Sequence, residues 1–245
     1  EKALAIRPGN AEIQDTLLDL QTREEDWSGA RETLSTKLKS GTLPRDVHRR
    51  RDAVLALAHA RDAMAEGKVD VARTNALQAN KMSPDLVPAA VMAARLEISD
   101  GKQRAATKII KKAWNALPHP DLAAAFAEIE PDETPQARIK RFQPLIRKHA
   151  GHPETKMLEA ELFIAAEDFA AARKALGDLP ETAPDARSLT LMAAIERGEG
   201  SEDRIVRAWL AKAVTAPRGA QWICEVDGSA YPEWQPLTAG GFDTL

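Results

Sequence analysis

A short sentence of residues recurs along this chain at a nearly constant interval, and that interval restricts the fold more than any single residue does. The stretches 66–85 (EGKVDVARTNALQANKMSPD), 100–121 (DGKQRAATKIIKKAWNALPHPD) and 166–185 (AEDFAAARKALGDLPETAPD) each read as turn, small alanine, helix, proline. Ala72 to Ala106 is 34 residues and Pro84 to Pro118 is 34. Ala106 to Ala137 to Ala172 gives 31 and then 35, and Val206 falls 34 after Ala172. Ala60, Ala94, Ala160 and Ala194 each lie 12 residues before the turn position of their own repeat, which is alanine in the first three and Val206 in the last. Small residues at both positions let two antiparallel helices approach closely, where a bulkier side chain would wedge them apart. The composition agrees with helix nearly throughout. Alanine is abundant, aromatics are only 4 %, charged residues reach 29 %, and no window is dominated by β-branched residues. Almost no strand is expected before residue 220.

A period near 34 made of paired helices resembles the tetratricopeptide repeat, over residues 1 to about 218. The resemblance rests on the small-residue and proline positions; the Trp and Tyr common in the first helix of such repeats are mostly missing here. It implies an all-α, right-handed solenoid of about six helical hairpins with a concave inner face. The opening residues EKALAIRPGN fit the same ruler. Ala3, Leu4 and Pro8 match the close of a second helix, and Ala30 lies 27 residues after Ala3. A piece of a longer protein, with the first repeat truncated, is therefore expected. A cut there leaves an apolar flank on residues 11–38, so residues 1–8 are expected to fray or to touch another molecule. Between Ala30 and Ala72 the spacing stretches to 42, and the excess falls in SGTLPRDVHRRRD (40–52), read as a basic loop or hinge.

From residue 217 the helical period stops and Gly/Pro turn clusters take over. The division is a repeat domain 1–218 and a tail 219–245, irregular or β-ribbon-like, with Trp222, Tyr231, Trp234 and Phe242 expected to fold back over the final helix pair. The tail's WICEVDG followed by PEWQPLTAGGFDTL, with RAWLAKAVTAPR (207–218) before it, resembles the close of alphaproteobacterial HemY-type membrane proteins. That family is expected to carry Cys-x-x-Cys knuckles here. Only Cys224 stands in a knuckle position, Asp227 occupies the second, and TAGG (238–241) offers no thiolate, so a thiolate zinc site cannot be built. The resemblance implies the cytoplasmic part of an inner-membrane protein anchored by N-terminal helices and linked to haem biosynthesis.

The search for chemistry narrows the function. Nucleotide-binding, zinc-protease and serine-hydrolase signatures are absent from the sequence, so no catalytic residue is assigned and the chain is read as non-enzymatic. A net charge of −3 implies no nucleic acid partner. His149 and His152 are three apart and could ligate a metal or haem iron, but Gly151 and Pro153 break the helix that would align them; they are read as turn residues, and no metal is assigned. Cys224 is a possible thiol site, weighed against a half-buried apolar role beside Trp222 and Ile223. Trp114 and Trp209 are read as core. Arg61 and Arg95 follow Ala60 and Ala94 and so occupy equivalent places in successive first helices, where a row of guanidiniums could hold a carboxylate or simply form a solvated helix face; the row changes to Glu161 and Ile195 in later repeats. Met64 and Met92 lie beside them. The leading expectation is a scaffold whose groove, lined by Arg61, Arg95, Met64 and Met92, docks a protein segment or a haem-pathway enzyme; the alternative is a carrier of haem or a porphyrin precursor.

Overall fold

In the computed structural model residues 10–219 and 221–245 are described. Ala3, Leu4 and Pro8, and the expectation of fraying over residues 1–8, lie outside them. The described residues are all-α apart from four two-residue strands. The helices are α1 Ala11–Arg23, α2 Trp27–Lys39, α3 Arg45–Ala65, α4 Val69–Met82, α5 Val87–Ser99, α6 Gln103–Ala116, α7 Pro120–Ala127, α8 Pro135–Lys148, α9 Pro153–Ala165, α10 Phe169–Leu176, α11 Leu179–Thr182, α12 Ala186–Gly198 and α13 Asp203–Thr215. The strands β1 Trp222–Ile223, β2 Ala230–Tyr231, β3 Leu237–Thr238 and β4 Gly241–Phe242 form two antiparallel hairpins, with Trp222 opposite Tyr231 and Leu237 opposite Phe242. The described residues divide into two compact units, one of residues 10–113 with 221–245, the other of residues 114–219.

The hairpins form where the sequence period puts them, and one turn geometry closes five of them. After α1, α3, α5, α9 and α12 an N–H reaches back five residues: Asp26 to Gln21, Lys68 to Ala63, Lys102 to Glu97, Asp168 to Phe163 and Ser201 to Glu196, at 2.8–3.0 Å. This helix stop needs one residue at positive φ. Gly67, Gly101 and Gly200 supply it in three turns, and Glu25 (φ 59) and Glu167 (φ 57) in the other two. The alanine seams are largely dry: Ala30, Ala60, Ala72, Ala94, Ala106, Ala160 and Ala172 are each fully buried and Val206 is 3 % exposed, whereas Ala194 is half-buried.

Three expectations are corrected. Ala137 is exposed, and the α7/α8 pair closes instead around Arg141, whose guanidinium lies 4.7 Å and 5.1 Å from the rings of Phe126 and Phe142 and donates to the Phe126 carbonyl. A short eight-residue α7 leaves room for that stack. The basic stretch read as a loop or hinge is helical from Arg45 onward. No proline or glycine interrupts it after Pro44, arginine favours helix, and its charges are partnered, Asp52 with Arg31 and Arg49 with the Met82 carbonyl. The excess in spacing becomes a 21-residue first helix. The tail packs on α3 in the first unit: Trp234 is buried in one cluster with Ala53, Val54 and Leu57 of α3 and Ala89 of α5, and Trp222, Phe242 and Leu245 pack against that cluster. The expected cap on the final helix pair is therefore replaced by contacts whose partners lie roughly 170 to 200 residues earlier, at separations of 173 and 195.

Candidate functional site

Arg50, Val54, Leu57 and Arg61 follow one another on α3 at steps of four, three and four residues, the spacing that puts side chains on one helix face. Val54 and Leu57 are buried, and the two arginines flank them along the helix. The Arg61 Nη1 donates to the Trp234 carbonyl at 2.8 Å, with its guanidinium carbon 6.0 Å from the indole ring centre. Arg50 donates from Nε to the Asp243 carboxylate at 3.3 Å and from Nη2 to the Leu245 carbonyl at 3.2 Å, and also lies 3.6 Å from Asp85. Burial pushes the Asp243 carboxyl above its ordinary value, against the pull of Arg50 and then Arg51. Asp243 also adopts a φ of 55, a conformation unusual outside glycine.

The sequence-predicted groove residues fare differently. Arg61 does face a protein segment, and the segment is the chain's own tail. Arg95 is exposed on α5. Met64 is 46 % exposed on α3, whereas Met92 is half-buried against the clusters that hold Trp234 and Ala60. Met157 and Met192 are core, as is Trp114, whose indole N–H donates to the Leu145 carbonyl. Trp209 is half-buried, with Lys212 Nζ 4.4 Å from its ring centre. Beside the tail a cleft of about 410 Å³ opens between Trp27, Arg61, Asp62 and Trp234, and across it the Trp27 indole donates to Asp62 at 2.5 Å. Arg50 and Asp243 were missed in sequence, and Trp234 was read as a cap on the final helix pair; the four-three-four spacing on α3 was the available signal for Arg50.

Cys224 is 1 % exposed. It sits at the first turn of the ribbon, its Sγ 3.6 Å from the Thr238 hydroxyl, and a Cβ on Gly240 would come within 2.6 Å of the sulfur. Burial pushes the thiol up, but hydrogen bonds from the Thr238 and Thr244 hydroxyls and the Asp227 and Val226 backbone outweigh it and hold it below the ordinary range. Hydroxyls and a close-packed glycine thus surround the sulfur. Among the described residues no group of three His, Cys, Asp or Glu is arranged to hold a metal.

His152 caps α9, its Nδ1 accepting from the Glu154 N–H at 3.1 Å, just as His119 caps α7 by accepting from the Asp121 N–H at 3.2 Å. Both precede a proline and then an acidic residue. Burial lowers both histidines; for His119 Asp121 opposes this and Arg187 assists, and for His152 His149 assists. In the second unit Arg187 forms a two-pronged pair with Glu161 at 2.7 Å and 2.9 Å and reaches Glu154 at 2.6 Å. Glu154 is 7 % exposed and its Oε1 has no hydrogen-bond partner; burial pushes its carboxyl up against the pull of Arg187.

A family model for the tetratricopeptide repeat matches residues 132–195. The chain is 26 % identical over 237 residues to a protein described as probable magnetosome protein Mms48 of Magnetospirillum gryphiswaldense, covering 96 % of this chain and 52 % of that protein; the chain thus spans about half the length of this curated relative. A tetratricopeptide repeat protein from Parabacteroides merdae superposes with a TM-score of 0.37 at 15 % identity, over 87 % of this chain and 89 % of that one. So loose a superposition carries no weight for the fold. Among the described residues no helix is long and apolar enough to cross a membrane.

Proposed function

We propose that this chain is a non-enzymatic docking module of tetratricopeptide type, which binds extended protein segments on the face of its first helices. The observation that carries the reading is the tail itself: α3 already holds a polypeptide ribbon through an aromatic anchor, a main-chain carbonyl and a carboxylate. Arrays of helical hairpins suit this work because they present a continuous side-chain surface without an enclosed cavity. The finer part of the proposal follows the tail motif: the module belongs to a protein associated with a bacterial inner membrane and with haem biosynthesis, and its partner is an enzyme of that pathway.

The test places a photo-reactive residue at position 64, where Met64 is 46 % exposed on α3, in the full-length protein in cells. The expected result is a covalent adduct with a membrane-fraction enzyme of tetrapyrrole synthesis. An adduct with proteins unrelated to that pathway would remove the finer reading. Absence of any adduct, together with a saturable porphyrin absorbance shift at micromolar protein, would replace docking by carriage of the pigment.

A further inference from the structure

The tail touches α3 in a way that differs from how the hairpins touch each other. Its four strands pair only among themselves, β1 with β2 and β3 with β4, and internal bonds such as Cys224 N–H to the Ser229 carbonyl and Glu225 N–H to the Thr244 carbonyl close the ribbon on itself. Its polar attachments to α3 are made by the side chains of Arg50 and Arg61. A ribbon held this way can leave without breaking any helix hydrogen bond. What it would uncover is an apolar stripe, Val54 and Leu57, ended by two guanidiniums, and those two cations would lose the carboxylate and carbonyls that now satisfy them.

We propose that the α3 face is a docking site for a protein segment bearing a large aromatic side chain and, about nine residues on, a carboxylate, and that residues 229–245 occupy it in cis as a resident competitor. The nine-residue step is the separation of Trp234 from Asp243. This rests on the docking reading above and states the chemistry of the partner. The two arginines set the polarity of the bound segment, because Arg61 takes a carbonyl beside the aromatic and Arg50 the carboxylate beyond it. A tethered competitor acts at an effective concentration on the order of millimolar, so a free segment that binds the vacated face at about 10 µM would be held back about 100-fold.

The probe is a fluorescently labelled synthetic peptide of residues 229–245, followed by anisotropy against the full chain. In a Trp234→Ala, Asp243→Ala double variant, which weakens the resident tail, the probe is expected to bind at least tenfold more tightly than to the parent. Adding Arg50→Glu to the double variant should abolish the gain. On the parent itself, excess probe should speed amide exchange in residues 222–245 while leaving α12 and α13 unchanged, a readout that needs no substitution. Equal binding by the parent and a double variant that keeps its helical circular dichroism, or unchanged exchange on the parent, overturns the proposal. So does a parent of doubled mass in light scattering that reverts to single mass in the double variant, since the tail would then serve a second copy. The probe is cut from this chain, so its failure removes the tail as competitor, while the crosslink at position 64 reports separately on docking.

Discussion

In the first unit the face of α3 is apolar between its two arginines and covered by a ribbon, with Trp234 buried in the same cluster as Leu57 and Ala89. In the second unit Glu154 on α9 stands where α3 carries Val54, and Glu154 and Glu161 on α9 pair directly with Arg187 on α12. The same repeat is thus completed either by protein packed onto it or by ion pairs made within it. The first solution leaves a surface that another segment can compete for. The second adds ion pairs to its apolar core and so ties part of its stability to proton concentration.

The sharpest way to break the contrast is Trp234→Ala. Removing a buried indole from an apolar cluster costs about 3–5 kcal/mol, and the loss should fall on the first unit alone. Urea unfolding with site-resolved hydrogen exchange checks it; equal loss of protection in α12 would mean that the units do not differ in this respect. Next in size is Arg187→Met in the second unit, expected to cost about 2–3 kcal/mol at pH 7 because it strands the buried Glu154 charge, discounted for the partial exposure of the arginine. Glu154 has its carboxyl raised in the folded state, so the folded protein takes up this proton before the unfolded chain does. The variant's deficit should therefore shrink as the pH falls from 7 through that raised value, and a deficit that is flat between pH 7 and 4.5 would assign the cost to lost packing.

Smaller, and opposite in sign, is the response of the histidine caps. A neutral Nδ1 must accept the N–H, and both His119 and His152 are lowered from 6.5 in the folded protein. Their contribution is then complete above about pH 6.5 and is lost as the pH falls through the lowered values. At about 1 kcal/mol per cap, thermal stability should drop between pH 7 and 5.5. His152→Asn, a cap that does not titrate there, should flatten part of that slope; an unchanged slope would exonerate the imidazole. The smallest effect is Glu167→Gly, which relieves a non-glycine residue at φ 57 and should stabilise the second unit by up to about 1 kcal/mol, as glycine already does at the equivalent Gly67 and Gly101 of the first. A neutral or harmful outcome in calorimetry would show that Glu167 is held by contacts worth as much as the strain.

The hairpin positions were legible because they are set locally: an alanine at a fixed offset reports directly on how closely two neighbouring helices pack, and Ala60, Ala72, Ala94 and Ala106 needed no distant partner to be read. Ala137 misled because the α7/α8 pair replaced an alanine seam with a stacked arginine, and Arg141 looks like any surface cation in a sequence. The helical start of α3 was obscured by its charges, whose partners Arg31, Asp85 and Asp243 lie in other elements. The tail's change of character was visible from composition, but its destination was not, since turn signals and aromatic content say nothing about which of several apolar faces is left uncovered. Arg61, read as part of a partner-binding groove, donates instead to the chain's own Trp234 carbonyl. Arg50, which holds the carboxylate, was hidden in the stretch taken for a loop.

The α3-to-tail bonds join residues 173 to 195 positions apart, and this has a bearing on how the molecule is made. Residues 45–65 leave the ribosome well before residues 234–245, so the helix that receives the ribbon waits through the synthesis of the residues between them without the tail on its oily stripe. During that interval the nascent chain is most open to chaperones and to premature association, and the arrival of its closing segment is the event that ends the exposure.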